Sequence, residues 1–130
     1  LKEEFKILIV DDDSRYCQTL RDILEQGGFA VDEACDGDQA CEIMKKKHYQ
    51  LIFMDIEMPN LDGFLSSTVI RVKNPETEVV FITGYSKNEK ISRILETIPR
   101  SSWFVKPVDP QEILRIAARA FKQTAGKGNK

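Results

Sequence analysis

Asp55 ends the apolar run Leu51-Ile52-Phe53-Met54, a place where a carboxylate is costly to desolvate unless it has partners. Candidate partners lie far away in the chain. Asp11 and Asp12 follow the run Ile7-Leu8-Ile9-Val10, Thr83 follows Val79-Val80-Phe81-Ile82, and Lys106 follows Trp103-Phe104-Val105. In a parallel sheet the ends of all four runs share one edge, the edge at which open α/β sheets bind ligands. Three carboxylates gathered there repel one another, and each proton lost makes the next loss harder. A hard divalent cation relieves that repulsion. Mg²⁺ takes octahedral oxygen ligands and keeps several waters, so two carboxylates and a carbonyl suffice.

Such residues need strands and helices in alternation to hold them, and the pattern predicts both. Strands are expected over 6–10, 29–34, 50–54, 78–82 and 102–105, the third being the most apolar. Between them the spacing predicts helices. The first covers 14–26, with Cys17, Leu20 and Leu24 on one face and Gly27-Gly28 ending it. Asp36 can cap a second to about Lys47, facing Ala40, Ile43 and Met44 inward. Asp62 can cap a third through about Val72, and a fourth covers about 87–97. Asp109 or Pro110 opens the last, to about Lys122. Strict alternation argues for a parallel sheet with crossover helices, an α/β fold. Residues 124–130 lose the periodicity and read as a frayed end or linker after a domain of residues 1–123.

A chain of 130 residues fits one domain with a real core, and its 42% hydrophobic and 31% charged residues are ordinary for a globular protein. The net charge of −2 provides no global basic field, so no direct nucleic-acid binding is expected. No apolar stretch is long enough for a bilayer and no secretory signal is visible, which points to the cytoplasm. The chain begins with Leu rather than Met, as a fragment would. Cys17, Cys35 and Cys41 lack paired spacing and read as semi-buried thiols of a reducing compartment rather than zinc ligands or disulfides. His48, the single histidine, sits beside Lys45, Lys46 and Lys47 near a helix end, where a cation is favoured.

The set Val10-Asp11-Asp12-Asp13, Asp55-Ile56-Glu57-Met58-Pro59 with Asp62-Gly63, Thr83-Gly84 and Val105-Lys106-Pro107 resembles the receiver domain of two-component response regulators. Each piece alone is weakly specific; the four in this order are highly specific and cover about Phe5 to Lys122. The resemblance implies a flavodoxin-like, doubly wound sheet of five parallel strands in order 2-1-3-4-5 with five helices, whose switch point between strands 1 and 3 gathers Asp11, Asp12 and Asp55. It implies that Asp55 accepts a phosphoryl group from a sensor histidine kinase or phosphotransfer protein, with Mg²⁺ or Mn²⁺ as cofactor. Asp12 and Asp55 would give side-chain oxygens to the metal, Glu57 its backbone carbonyl, and Asp11 would act mostly through a metal-bound water. Asp13 is more a helix-entry residue. Lys106 would bring a point charge and Thr83 a hydroxyl hydrogen bond to the phosphoryl oxygens. The Lys106-Pro107 peptide is commonly cis in the family, whereas an X-Pro bond alone predicts trans.

The same resemblance makes Thr83 and Trp103 the switch pair, with Trp103 on the strand face opposite Lys106, since their separation is odd. Glu57 and Tyr85, each two residues after a key position, are expected to modulate the phosphoryl lifetime. The output surface would be the fourth helix, fifth strand and fifth helix, engaging an output domain or a phosphorylation-dependent homodimer. In the last helix Ile113, Ile116, Ala117 and Ala120 form an inward stripe, while Leu114, Ala118 and Phe121 form a second. That second stripe suits either a partner surface or a broad core.

Two other readings compete. A phosphatase of the haloacid dehalogenase type would use Asp11-Asp12-Asp13 as its D-x-D motif, but it leaves the Asp55-to-Gly63 segment without a role and finds only Asp109 and Glu112 as acidic residues after the lysine. A receiver without phosphorylation chemistry is disfavoured by the complete acidic, Thr and Lys set. The departure from the family pattern is Ile98-Pro99-Arg100-Ser101 where a Gly-Ala pair is usual, which leaves the connection into the fifth strand unspecified. As a receiver, the domain would assist its own phosphorylation and dephosphorylation without turning over an external substrate.

Overall fold

Five short runs rich in β-branched and aromatic residues pair in parallel: β1 (Lys6–Val10), β2 (Ala30–Ala34), β3 (Leu51–Asp55), β4 (Glu78–Thr83) and β5 (Ser101–Val105). A computed structural model describes residues 5–55, 76–84 and 101–128, without the side chains of Thr83, Ser101 and residues 125–128. The strand order is β2-β1-β3-β4-β5, the expected one, with the switch point between β1 and β3. β3 is buried along its whole length, as its unbroken apolar sequence requires of a central parallel strand.

The period of two along the strands sorts the core into two layers. Ile7, Ile9, Leu51, Phe53, Val80 and Ile82 face helices α1 (Ser14–Gln26) and α3 (Pro110–Gly128). Leu8, Val10, Ile52, Met54, Val79 and Phe81 face the other side, where Ala40 of α2 (Gly37–Met44) packs with Ile43 and Met44 at its margin.

The helix ends follow from local chemistry. The Asp13 carboxylate accepts from the N–H groups of Arg15 and Tyr16, which confirms it as the entry to α1. Asp36 accepts from the Gln39 N–H at 2.8 Å and opens α2. Asp109 accepts from the Gln111 N–H at 2.9 Å and opens α3. Gly27 caps α1, and Gly28 takes the left-handed φ of 87° that turns the chain toward β2. A side chain at Gly27 would also meet Leu114 of α3 at 2.7 Å, so the glycine permits the α1–α3 approach.

Several expectations need correction. α2 ends at Met44 rather than about Lys47. α3 continues to Gly128 rather than stopping near Lys122; the Thr124 hydroxyl donates to the Ala120 carbonyl inside it, and the main-chain ladder outlasts the apolar stripe. Leu114 and Phe121 pack against the core, with Phe121 edge-on to Phe5 and Phe29, so these two members of the second stripe serve the broad core; Ala118 is exposed. Cys17 is buried and Cys41 half-buried, but Cys35 is exposed; none of the three forms a disulfide. The helices expected from Asp62 and from about Lys87 lie outside the described residues, as do Glu57, Tyr85 and the Ile98-Pro99-Arg100 departure.

Candidate functional site

The C-terminal edge of the sheet gathers charges from three strands that are distant in sequence. Asp11 follows β1, Asp55 ends β3 and Lys106 follows β5. The alternation that sends Ile7, Ile9, Phe53 and Phe104 toward the α1 side puts Asp11, Asp55 and Lys106 in phase with them. The Lys106 ammonium donates to Asp11 Oδ2 at 2.8 Å and lies 3.5 Å from Asp55 Oδ2. Asp11 is 4% exposed and Asp55 8%, so both carboxylates need protein partners in place of water. Asp11 also accepts from the Asp13 N–H at 2.9 Å. Asp12, next in the chain, is exposed.

Burial raises the Asp11 pKa above the ordinary carboxylate value, and the Asp55 charge adds to the rise; the Lys106 and Asp13 hydrogen bonds oppose it without cancelling it. Burial works against the Lys106 charge. The Asp11 hydrogen bond and the Asp55 carboxylate outweigh burial, and the lysine pKa lies above its usual value. Among the described residues, this one ammonium serves two buried carboxylates.

Carboxylate oxygens of Asp11, Asp12 and Asp55 lie within 4.8 Å of one another, close enough to share one cation. The donors are hard oxygens from two enclosed residues and one open to water, which fits a hard divalent ion that keeps part of its hydration shell. Among the described residues none of the three cysteines joins the cluster, so softer thiolate ligands do not contribute to it.

The remaining site residues divide cleanly. Thr83 pairs through its backbone with Val105, at the β4 end adjoining Lys106. Trp103 is half-buried against the α2-side layer, opposite Lys106 as the odd spacing requires. The Lys106-Pro107 peptide is cis. The Thr83 hydroxyl, Glu57 and Tyr85 lie outside what is described.

Two contacts escaped sequence reasoning. Tyr16, in the first turn of α1, places its ring under the Lys106 ammonium at 4.4 Å from the centroid. Cys17 donates its thiol to the Asp11 carbonyl at 3.4 Å. An aromatic three residues into a helix carries no signal of its own; a pairing across the sheet to position 106 was needed to find it.

Comparison with known proteins agrees with this geometry. Transcriptional regulatory protein ResD of Bacillus subtilis is 37% identical over 126 residues, covering 94% of this chain and 51% of ResD. The CAI-1 autoinducer sensor kinase/phosphatase CqsS of Vibrio cholerae is 32% identical over 90% of this chain and 17% of its own length. This chain thus spans about half or less of these two relatives. Among solved structures, chemotaxis protein CheY4 of Vibrio cholerae is 27% identical with a TM-score of 0.82, over 89% of this chain and 98% of that one. Residues 7–118, which hold Asp11, Asp12, Asp55, Thr83 and Lys106, match the response regulator receiver domain, and the chain belongs to that family.

Proposed function

We propose that Asp55 is the phosphoryl acceptor of this receiver domain, and that Lys106 and Thr83 assist the transfer. The observation that carries the proposal is the Lys106 ammonium bridging Asp11 and Asp55 from a third strand. A carboxylate oxygen of Asp55 attacks phosphorus in line, the bond from phosphorus to the donor breaks, and the leaving group departs on the opposite side. Phosphoryl transfer asks the protein mainly for positioning and charge neutralisation. Lys106 is placed to exchange Asp11 for a phosphoryl oxygen with a small movement. Thr83 donates its hydroxyl to another oxygen.

Asp12 and Asp55 would hold Mg²⁺ or Mn²⁺ with their side chains and Glu57 with its carbonyl, while Asp11 acts through a metal-bound water. The ion, when bound, supplies positive charge against the phosphoryl oxygens. The three clustered carboxylates support this assignment. Glu57 and Tyr85 tune the lifetime of the acyl phosphate. Thr83 and Trp103 couple the site to the surface of the fourth sequence helix, β5 and α3, a population shift driven by the differential contacts of the phosphorylated state.

The phosphoryl donor is a sensor histidine kinase or phosphotransfer protein in the cytoplasm. The recipient of the signal is an output domain of the full-length protein or a second copy of the domain, and this segment makes no nucleic-acid contact. Residues 1–123 form the receiver unit and 124–130 a tail or linker that begins as helix. The domain turns over no external substrate. Treating the protein with acetyl phosphate and Mg²⁺, then mapping the adduct by mass spectrometry, tests the reading. One phosphoryl group on Asp55 is expected; equal modification of Asp55→Asn would refute it. Sustained hydrolysis of p-nitrophenyl phosphate would instead favour the phosphatase alternative.

A further inference from the structure

We propose that Tyr16 is a positioning residue for Lys106, its ring acting as a platform on which the ammonium moves from Asp11 to the phosphoryl group. This rests on the assignment of Lys106 to the transfer. Among the described residues the ammonium meets Asp11 at 2.8 Å, Asp55 at 3.5 Å, and the Tyr16 ring face at 4.4 Å from its centroid. The carboxylates are directional partners, and a hydrogen bond weakens steeply as its geometry departs from linear. A ring face attracts a cation through its quadrupole, and the attraction changes little as the cation shifts sideways by a fraction of the ring width. Lys106 must leave Asp11 to serve a group bound on Asp55. The ring keeps the ammonium at constant height while one hydrogen bond is exchanged for another.

The setting makes the contact firm. Asp13 caps α1 through the backbone N–H groups of Arg15 and Tyr16, which fixes the first helical turn. Tyr16 is partly buried and packs against the core layer shared by α1 and α3. Its hydroxyl is enclosed near the Val108 backbone without a hydrogen bond of good geometry. The oxygen is thus held but little used, while the ring meets the cation. Removing the hydroxyl should therefore leave the function intact, and removing the aromatic face should not.

Three variants test this: Tyr16→Phe, Tyr16→Leu and Lys106→Gln, with the double variant Tyr16→Leu/Lys106→Gln. The first readout is the proton NMR shift of the Lys106 ε-methylene in metal-free protein. An upfield ring-current shift is expected in the parent and Tyr16→Phe, and its absence in the parent overturns the contact even if Tyr16→Leu does not fold. The second is the initial rate of Asp55 modification by acetyl phosphate with Mg²⁺. Tyr16→Leu should slow it about fivefold or more, and Tyr16→Phe should restore it. In the Lys106→Gln background, Tyr16→Leu should cost nothing further, as a double-mutant cycle requires of a residue that acts through its partner. An undiminished cost in that background, or equal losses in Tyr16→Phe and Tyr16→Leu, would overturn the proposal. Failure of the receiver assignment would look different: no Asp55 modification in the parent, with the ring-current shift still present.

Discussion

Two polar clusters border the same sheet, and their charge balances differ. At the C-terminal edge the described residues gather three carboxylates, Asp11, Asp12 and Asp55, and the Lys106 ammonium bridges two of them, Asp11 and Asp55. Along the outer strand β2, each acid meets a matched partner. Asp32 accepts the Tyr49 hydroxyl and lies 3.5 Å from the Lys47 ammonium, while Glu33 pairs with Arg21. Adjacent residues on a strand point to opposite faces, so Asp32 finds its partners on the α2 side and Glu33 on the α1 side. Both β2 acids are paired with a cation, and Arg21 serves Glu25 at 3.6 Å as well as Glu33. Among the described residues the edge cluster sets three carboxylates against one ammonium, a balance that an added cation would improve. A fold retains such an imbalance where binding needs it and satisfies its polar groups elsewhere.

The largest effect should come from breaking the satisfied cluster. Tyr49 is fully buried, donates to Asp32, and offers its own carbonyl to the Thr77 hydroxyl at 2.7 Å. Burial, and then the Asp32 carboxylate, push its phenol pKa up, so it remains a donor across the physiological range. Tyr49→Ala should lose about 3–5 kcal/mol by leaving a cavity, read as a lower urea midpoint at unchanged slope. Tyr49→Phe keeps the packing and should lose about 1 kcal/mol with the hydrogen bond. Equal losses in the two variants would mean that the hydroxyl, not the ring, holds this end of β3.

The next effect sharpens the contrast by filling the other cluster. Mg²⁺ at a hundred times its dissociation constant should stabilise the parent by about 2.7 kcal/mol, because it binds the folded state alone. The gain should disappear in Asp12→Ala and survive in Asp32→Asn. A gain of the same size in Asp12→Ala would remove that residue from the ligand set.

Much of this contrast is legible in the sequence, and the illegible part has a physical cause. Asp55, Asp11 and Lys106 each end an apolar run, and a charge at the end of a buried strand is conspicuous against its neighbours. The strand order followed from the family resemblance, since alternation of strands and helices is compatible with several orders. Asp32 and Glu33 carry no such signal. Acidic residues on an edge strand are ordinary, and the partners of these two lie 17 and 12 residues away. The second apolar stripe of α3 was ambiguous for a related reason. Periodicity shows that Leu114 and Phe121 share a helix face, but only the position of α1 and the Phe5 and Phe29 rings shows that the face is covered. The helical continuation past Lys122 lacks any apolar stripe, the one feature that periodicity can detect.

A smaller effect, of opposite sign to that of Tyr49→Ala, is expected from removing one of the clustered carboxylates. Asp12→Ala relieves repulsion in the metal-free protein. Asp12 is exposed, so water and salt screen it, and the gain should be a few tenths to about 1 kcal/mol. Calorimetry of chelator-treated protein should show a higher Tm for Asp12→Ala than for the parent. The difference should shrink in high salt as screening replaces the mutation. A lower Tm at low salt would show that the three acids do not oppose one another as their spacing implies.

The smallest effect concerns a neighbour of each region, Cys17 beneath Asp11 and Cys35 just past β2. Burial first, and the Asp11 charge second, push the Cys17 thiol up to about 12, whereas Cys35 is exposed. The thiolate is the reactive form, so iodoacetamide at pH 8 should label Cys35 and spare Cys17 until the protein unfolds. The folded state holds the Cys17 proton more tightly than the unfolded chain does. This thiol is therefore neutral toward stability below its ordinary value of 9.0, and it lowers stability progressively as pH climbs from there toward about 12. Adding Mg²⁺ sharpens the test by compensating the Asp11 charge while leaving the burial in place. Because burial is the larger cause, Cys17 should stay protected with the ion present. An increase of more than about tenfold in its labelling rate, equivalent to one pKa unit, would give the acidic cluster the larger share and would carry its unbalanced field further into the core than the geometry indicates.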